Sequence, residues 1–262
     1  MAFTLATWNI NSVRLREPIV LKLLEEQGPD VLCLQECKSP VEKIPTEGFA
    51  TLGYTHMIAN GQKGYNGVAI LSRLPIVEVA RYDFANLGHA RHVAGQLENG
   101  VTIHNFYVPA GGDEADRERN VKFGQKLDYL TEMKEHFGAE KPGKSILVGD
   151  LNIAPREDDV WDHKKLLKVV SHTPIEVEHL AQVQEAGDWV DVTRADIPEG
   201  PLYSWWSYRS PDWANADKGR RLDHVWATGD IARAGHSSRV YRDARGWEKP
   251  SDHAPVFASF DL

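Results

Sequence analysis

At 262 residues the chain has room for one large α/β domain or two small ones, and 42% hydrophobic content is enough for a buried core. A formal charge of -8 argues against a protein that coats polyanions over its whole surface, although acids gathered around a cation leave a basic rim free for phosphates. Two cysteines, Cys33 and Cys37, fit neither a disulfide framework nor paired zinc spacing, and the sequence holds neither a leader pattern nor an apolar run of membrane-spanning length. A reduced, buried Cys33 and a cytoplasmic location with no membrane partner are therefore expected.

Strand and helix patterns alternate with no Ser/Gly/Pro-rich linker, so a single domain over 1–262 is expected. A strand over 5–10 runs into Asn9-Ile10-Asn11-Ser12. A helix over 17–27 follows, with Pro18 suited to its first turn and Gly28-Pro29 to its end. The strand over 31–35 delivers Glu36. The glycine-rich 61–67 segment leads into a strand over 67–71 rather than a helix, so it reads as a backbone-contact loop and not a dinucleotide site. Strands over 93–97 and 102–108 come next, the second alternating polar and apolar residues, which favours partly antiparallel sheets with helices on one face.

After a loop over 109–115, apolar residues from Val121 to Phe137 recur at helical spacing, predicting a helix over 116–137 closed by Gly138. A strand over 146–149 opens onto Asp150-Leu151-Asn152. Thr173-Pro174-Ile175-Glu176 is a capping box for a helix ending near Gly187. A loop over 198–221 interleaves Trp205, Trp206, Tyr208 and Trp213 with Arg209, Lys218, Arg220 and Arg221. That composition stacks on bases while neutralising phosphates. Strands over 222–228 and 255–260 finish the chain, the second preceded by Ser251-Asp252-His253-Ala254.

Acids and amides thus stand repeatedly at strand ends, which is how a rigid sheet delivers reactive groups to one mouth. Phosphodiester hydrolysis needs a hard cation, a water that loses its proton, and stabilisation of the leaving oxygen. Glu36 suits the cation, with Asn9 and Asp252 as further contributors, although Asn9 taken alone reads better as a turn residue. Asp150 and Asn152 are two apart, so in extended chain both face one cavity, and the pair can orient water and donate to a phosphoryl oxygen. The competing reading is an Asp/Asn turn. Asp223 can hold the His253 imidazole in one tautomer and favour its charged form. Tyr107, Arg91 and Lys38 are candidates for phosphate contact, each with a bland structural alternative. Phosphate-binding P-loop and Gly-x-Ser-x-Gly patterns are absent from the sequence.

The chain resembles the exonuclease III family of the endonuclease/exonuclease/phosphatase superfamily. The resemblance rests on eight blocks in order: Trp8-Asn9-Ile10-Asn11; Pro29-Asp30-Val31 with Leu34-Gln35-Glu36; Gly61-Gln62-Lys63-Gly64 with Gly67-Val68-Ala69; Tyr107 with Pro109; Gly149-Asp150-Leu151-Asn152-Ile153; Ser204-Trp205-Trp206 with Tyr208-Arg209; Arg221-Leu222-Asp223; and Lys249-Pro250-Ser251-Asp252-His253-Ala254-Pro255-Val256. It implies an α/β four-layer sandwich, two mixed β-sheets face to face with helices outside. It further implies a Mg²⁺-dependent enzyme (Mn²⁺ also accepted), monomeric, acting on duplex DNA with abasic sites, nicks or blocked 3′ ends. The metal neighbourhood it implies comprises Asn9, Glu36, Asp150, Asn152, Asp252 and His253, and the catalytic set Tyr107, Asp150, Asn152, Asp223 and His253. DNA contacts are expected from Lys38, Lys63, Arg91, Trp205, Arg209, Trp213 and Arg220. The family often has an apolar residue where this chain has Arg220, which makes 3′-end hydrolysis the firmer expectation and abasic-site cleavage the weaker one. The alternative within the superfamily is a phosphoesterase acting on lipid head groups or inositol phosphates, which the aromatics of the 198–221 loop suit less well than bases and sugars.

Overall fold

In the computed structural model, which describes residues 2–261, the apolar runs pair into two six-stranded sheets. In chain order the strands are β1 (Ala2–Asn9), β2 (Val31–Gln35), β3 (His56–Asn60), β4 (Val68–Ser72), β5 (Ile76–Ala80), β6 (His92–Leu97) and β7 (Thr102–Tyr107). They continue with β8 (Ser145–Asp150), β9 (Trp189–Asp191), β10 (Trp205–Trp206), β11 (Gly219–Arg220), β12 (Asp223–Thr228), β13 (His236–Val240) and β14 (Val256–Asp261). One sheet has the order β13-β14-β1-β2-β4-β3 and the other β5-β6-β7-β8-β12-β9, while β10 and β11 form a small ribbon. Both large sheets are mixed. The β1–β2 and β7–β8 pairs are parallel, and their other neighbours run antiparallel.

Three apolar layers hold the stack together. Leu5, Val31, Cys33 and Ile70 of the first sheet meet Val93, Ile103, Val148 and Val225 of the second in the central core. Outside the first sheet, helix Glu17–Gln27 lays Val20, Leu23 and Leu24 on Leu32 and Leu34. Outside the second, helix Val121–Ala139 brings Tyr129, Leu130, Met133 and Phe137, and helix Pro174–Ala186 brings Leu180 and Val183, onto Phe106, Leu147 and Trp226. The fold is therefore the expected four-layer α/β sandwich. Among the described residues, no helix is long and apolar enough to cross a membrane.

Polar groups bolt the two sheets together just below one rim. Gln35 Nε2 donates to Thr7 Oγ1 at 2.9 Å and across the core to Asn105 Oδ1 at 2.7 Å. Asn105 Nδ2 answers with bonds to the carbonyls of Leu34 (3.0 Å) and Ala69 (2.9 Å). Buried amides paired this way specify register as well as adding stability. At the same level Gly149 (φ 138°) lies so close to the Phe106 carbonyl that a Cβ would collide with it. Any side chain there would push β8 away from β7.

Some boundaries differ from expectation. The long helix starts at Val121, not at 116, because Asn120 caps it by accepting from Lys122 N at 3.1 Å. Asp116 instead closes a turn, its carboxylate accepting from the amides of Glu118 and Arg119. The 198–221 loop contains the β10–β11 ribbon and a helical turn, Trp213–Ala216.

Candidate active site

Strand ends from both sheets converge on one rim. Asn9 closes β1, Glu36 follows β2, Tyr107 closes β7, Asp150 closes β8, and Asp223 opens β12. Register sets their spacing, with Tyr107 opposite Asp150 and Asp150 opposite Asp223. Glu36 (φ 50°), Lys38 (φ 50°) and Asn152 (φ 55°) sit in the left-handed region, a conformation that costs a non-glycine residue roughly 1–3 kcal/mol and clusters at functional sites.

Hydrogen bonds and ion pairs link these groups. Asn9 Nδ2 donates to Glu36 Oε1 at 3.0 Å and to Asp150 Oδ2 at 2.8 Å. The Tyr107 hydroxyl donates to Glu36 Oε1 at 2.8 Å, while the Lys38 ammonium stands 2.9 Å from Glu36 Oε2. His253 Nδ1 lies 2.8 Å from Asp223 Oδ2, and its Nε2 faces Asp150 Oδ2 at 3.8 Å. Asp150 Oδ1 accepts the Asn152 amide at 2.9 Å, and Asn152 Nδ2 donates to the Val108 carbonyl at 2.9 Å. Asp252 stands further back, one oxygen bonded by Trp205 Nε1 (2.9 Å) and the other by Asn11 Nδ2 (3.3 Å).

Charge is unbalanced here. Burial pushes the Asp150 carboxyl up to about 7; His253 pulls it down and Asp223 pushes it further up. Burial alone would lower the His253 imidazole, but Asp223 and Asp150 outweigh it and hold it up at about 10. Burial also raises the Glu36 carboxyl, yet Lys38, Asn9 and Tyr107 together keep it below the usual carboxylate range. Burial, then Glu36 and Asp150, drive the Tyr107 phenol well above its ordinary value, so it serves as a hydrogen-bond donor.

The donor set suits a divalent cation. One ligand atom each from Asp150, Asp223 and His253 lie within 4.8 Å of one another, and Asp223 Oδ1 is buried without a hydrogen-bond partner. Two buried acids face one imidazole, an excess of negative charge that a cation would offset. The two carboxylates are the hard oxygen donors such ions prefer, while the His253 imidazole, held protonated, is not itself a ligand.

Two clefts flank the centre. One, of about 470 Å³, is lined by Gln62, Tyr65, Arg91, Tyr107, Gly111 and Lys122 among others. The Arg91 guanidinium stacks 4.7 Å from the Tyr107 ring centroid and bonds the Tyr107 carbonyl. The other, of about 700 Å³, is lined by Asp113, Trp161, Trp205, Arg209, Lys218 and Arg220 among others. Arg220 stacks on Trp205 at 5.3 Å and bonds the Val170 carbonyl (3.0 Å) and Ser171 Oγ (2.7 Å). Lys63 is exposed on the 61–67 loop. Trp213 turns away from these clefts, packing on Trp206 with Arg242 and Arg245 over its face.

Several supporting residues escaped the sequence reading. Ser204 Oγ donates to Asp223 Oδ2 at 2.6 Å, and Ser251 Oγ donates to the Asn9 carbonyl at 2.6 Å. Both serines lie in the motif blocks, but a serine at a strand end carries no signal of which carboxylate it will hold. Trp161, whose ring is covered by Lys165 and Lys218, belongs to a segment with no strong periodicity.

Comparison with known proteins bears on the family and the fold. The sequence matches the endonuclease/exonuclease/phosphatase family over residues 6–253. It is 30% identical to exodeoxyribonuclease III of Haemophilus influenzae across 97% of this chain and 98% of that protein. Its fold superposes on an AP endonuclease from Archaeoglobus fulgidus with a TM-score of 0.92 at 31% identity, covering 99% of this chain and 100% of the other. A Neisseria 3′ phosphatase bound to a product DNA hairpin gives 0.90 at 33% identity, with 99% and 100% coverage. The chain belongs to the endonuclease/exonuclease/phosphatase family, in its exonuclease III branch.

Proposed function

We propose that this chain is a hydrolytic DNA repair nuclease acting at 3′ ends, nicks and abasic sites of duplex DNA. The observation that carries the reading is the buried Asp223–His253 pair facing Asp150 between two open clefts. Asp150, with a carboxyl near neutrality, is suited to take a proton from the attacking water. His253, held cationic, offers Nε2–H to the charge that grows on the phosphoryl oxygens. Asn152 has an amide hydrogen left for the same oxygens, since its bond to Val108 uses one of two. The Tyr107 phenol braces Glu36 and can turn its proton toward the phosphate.

Glu36, with Asn9 bonded to it and Asp150 and Asn152 in the same neighbourhood, would hold Mg²⁺ or Mn²⁺; Asp252 would act from further back, and His253, with both ring nitrogens protonated, would face the phosphate and not the ion. Such an ion supplies charge neutralisation on the phosphoryl oxygens and the leaving oxygen. Lys38, Lys63 and Arg91 on one side, and Trp205, Arg209 and Arg220 on the other, are assigned to DNA, whereas the inward packing of Trp213 supports a role as prop for the loop. The whole of 1–262 is taken as one monomeric working unit, and the two buried free thiols support a reducing, cytoplasmic setting.

Arg220 bears on substrate choice. It fills the side of Trp205 and is tied down by Val170 and Ser171, leaving less room for an extruded abasic sugar. This favours 3′-end hydrolysis over abasic-site cleavage. A gel assay with Mg²⁺ on matched duplexes bearing a recessed 3′ end, a 3′-phosphate or an abasic analogue tests both parts. Strong 3′ activity with weak abasic cleavage, and a relative gain of abasic cleavage in Arg220→Leu, are expected. Absence of hydrolysis on all three duplexes, or equal activity with EDTA, would overturn the reading.

A further inference from the structure

Helix Val121–Ala139 carries a lysine where its apolar face should continue. The Lys126 side chain is fully buried and pairs with Glu176, itself fully buried, on helix Pro174–Ala186. Burying two charges costs several kcal/mol per ion before pairing, and an apolar pair of similar size is often at least as stable. Folding alone therefore gives little reason for this pair.

Its remaining contacts point elsewhere. Lys126 Nζ donates to the Asn152 carbonyl at 2.9 Å and reaches toward the Ala110 carbonyl at 3.4 Å. Asn152 is the non-glycine residue held at φ 55° directly after Asp150 and Leu151. Glu176 in turn accepts from the Ser171 and Thr173 amides and from the Thr173 hydroxyl. Ser171 Oγ is the group that Arg220 grasps. One buried ion pair thus ties the strand end bearing Asn152, the loop after Tyr107 and the segment anchoring Arg220.

We propose that Lys126 is a positioning residue for the hydrolysis, fixing the main chain of Asn152 so that its side-chain amide meets the phosphoryl oxygen. The inference rests on the role given to Asn152 above. A charged donor to a carbonyl is stronger than a neutral one, and a displacement of about 1 Å at a reacting group can cost roughly a hundredfold in rate.

The informative protein is the full chain carrying Lys126→Met with Glu176→Gln. Methionine refills the volume of the lysine stem, and glutamine still serves the capping box while removing the orphaned charge. On a duplex with a recessed 3′ end and saturating Mg²⁺, this variant should melt near wild type yet lose about tenfold or more in kcat, with KM little changed. In an Asn152→Ala background the same pair of changes should cost almost nothing further, because the group they position is gone. Lys126→Arg, which keeps the charge facing Glu176, is the fallback if the double variant does not fold. It should lose kcat in the same background-dependent way. Wild-type kcat in a folded double variant, or losses that multiply in the Asn152→Ala background, would overturn the proposal. A wild-type rate for Asn152→Ala alone would instead remove the role of Asn152, and this inference with it.

Discussion

Two buried charge clusters, one centred on Asp159 in the turn Glu157–Asp159 and one on Asp150 at the end of β8, have opposite balances. Around Asp159, acid and base are matched: Arg194 and Arg221 both fork onto its carboxylate, and Arg221 also bonds Asp191 at 2.8 Å. Burial raises the Asp159 carboxyl, but the two guanidiniums outweigh it and leave it below the ordinary range. Around Asp150, two acids share a single imidazole, Asp223 Oδ1 has no partner, and the carboxyl rises to about 7. Burial is alike in the two places; stoichiometry is not. The first cluster is neutralised within itself, and the second is left short of positive charge, as the proposed base and cation site requires.

The same chemical change in each cluster should therefore act in opposite senses. Asp150→Asn should lower kcat about a thousandfold, the loss expected when a positioned base is removed, as read by single-turnover cleavage of a 3′-recessed duplex. Its stability should move the other way. A folded carboxyl at about 7 against an ordinary 3.8 means that the folded state keeps a proton the unfolded state has released across that window. Wild-type stability thus falls as pH rises from 4 to 7, and asparagine escapes the fall. Urea melts at pH 8 should show the variant more stable by roughly 1–3 kcal/mol, less the attraction lost by His253, with the gain vanishing near pH 4.

Asp159→Asn should do the reverse, destabilising by about 3–5 kcal/mol because two buried guanidiniums lose their counter-charge, while the folded fraction cleaves at close to the wild-type rate. A large rate loss without destabilisation would merge the two clusters into one functional unit and end the contrast. The smallest effect sharpens it further. The rate should rise with pH as Asp150 deprotonates, with a midpoint near 7 at low Mg²⁺. That midpoint should move to lower pH as Mg²⁺ increases, because a nearby cation favours the carboxylate. A midpoint indifferent to Mg²⁺ would place the ion away from Asp150.

Much of this was legible in the sequence, for identifiable reasons. Helix Glu17–Gln27 and strand β2 fall where expected, since Pro18, Gly28 and Pro29 punctuate the chain sharply. The strand-end acids were visible because polar residues directly after apolar runs stand out. What was hidden is pairing. Lys126 interrupts a helical apolar face and reads as a solvent-reaching residue until Glu176, 50 positions later, is placed against it. β5 was missed because it is an edge strand that exposes Val77 and Val79, so its burial alternation is weak. The outer position of Asp252 was equally unreadable, because it depends on Trp205 and Asn11 reaching it from distant loops.

The amide bridge formed by Gln35 and Asn105 has a consequence for how such a protein can change. It clamps the floor of the cleft one residue below Glu36 and two below Tyr107, so these two groups inherit their spacing from the sheets. The exposed part of the 198–221 loop around Arg209 can then be exchanged without disturbing the anvil beneath it, whereas Ser204 and Trp205 of the same loop belong to that anvil. New substrate preferences become accessible through the rim alone, while the chemistry underneath stays fixed.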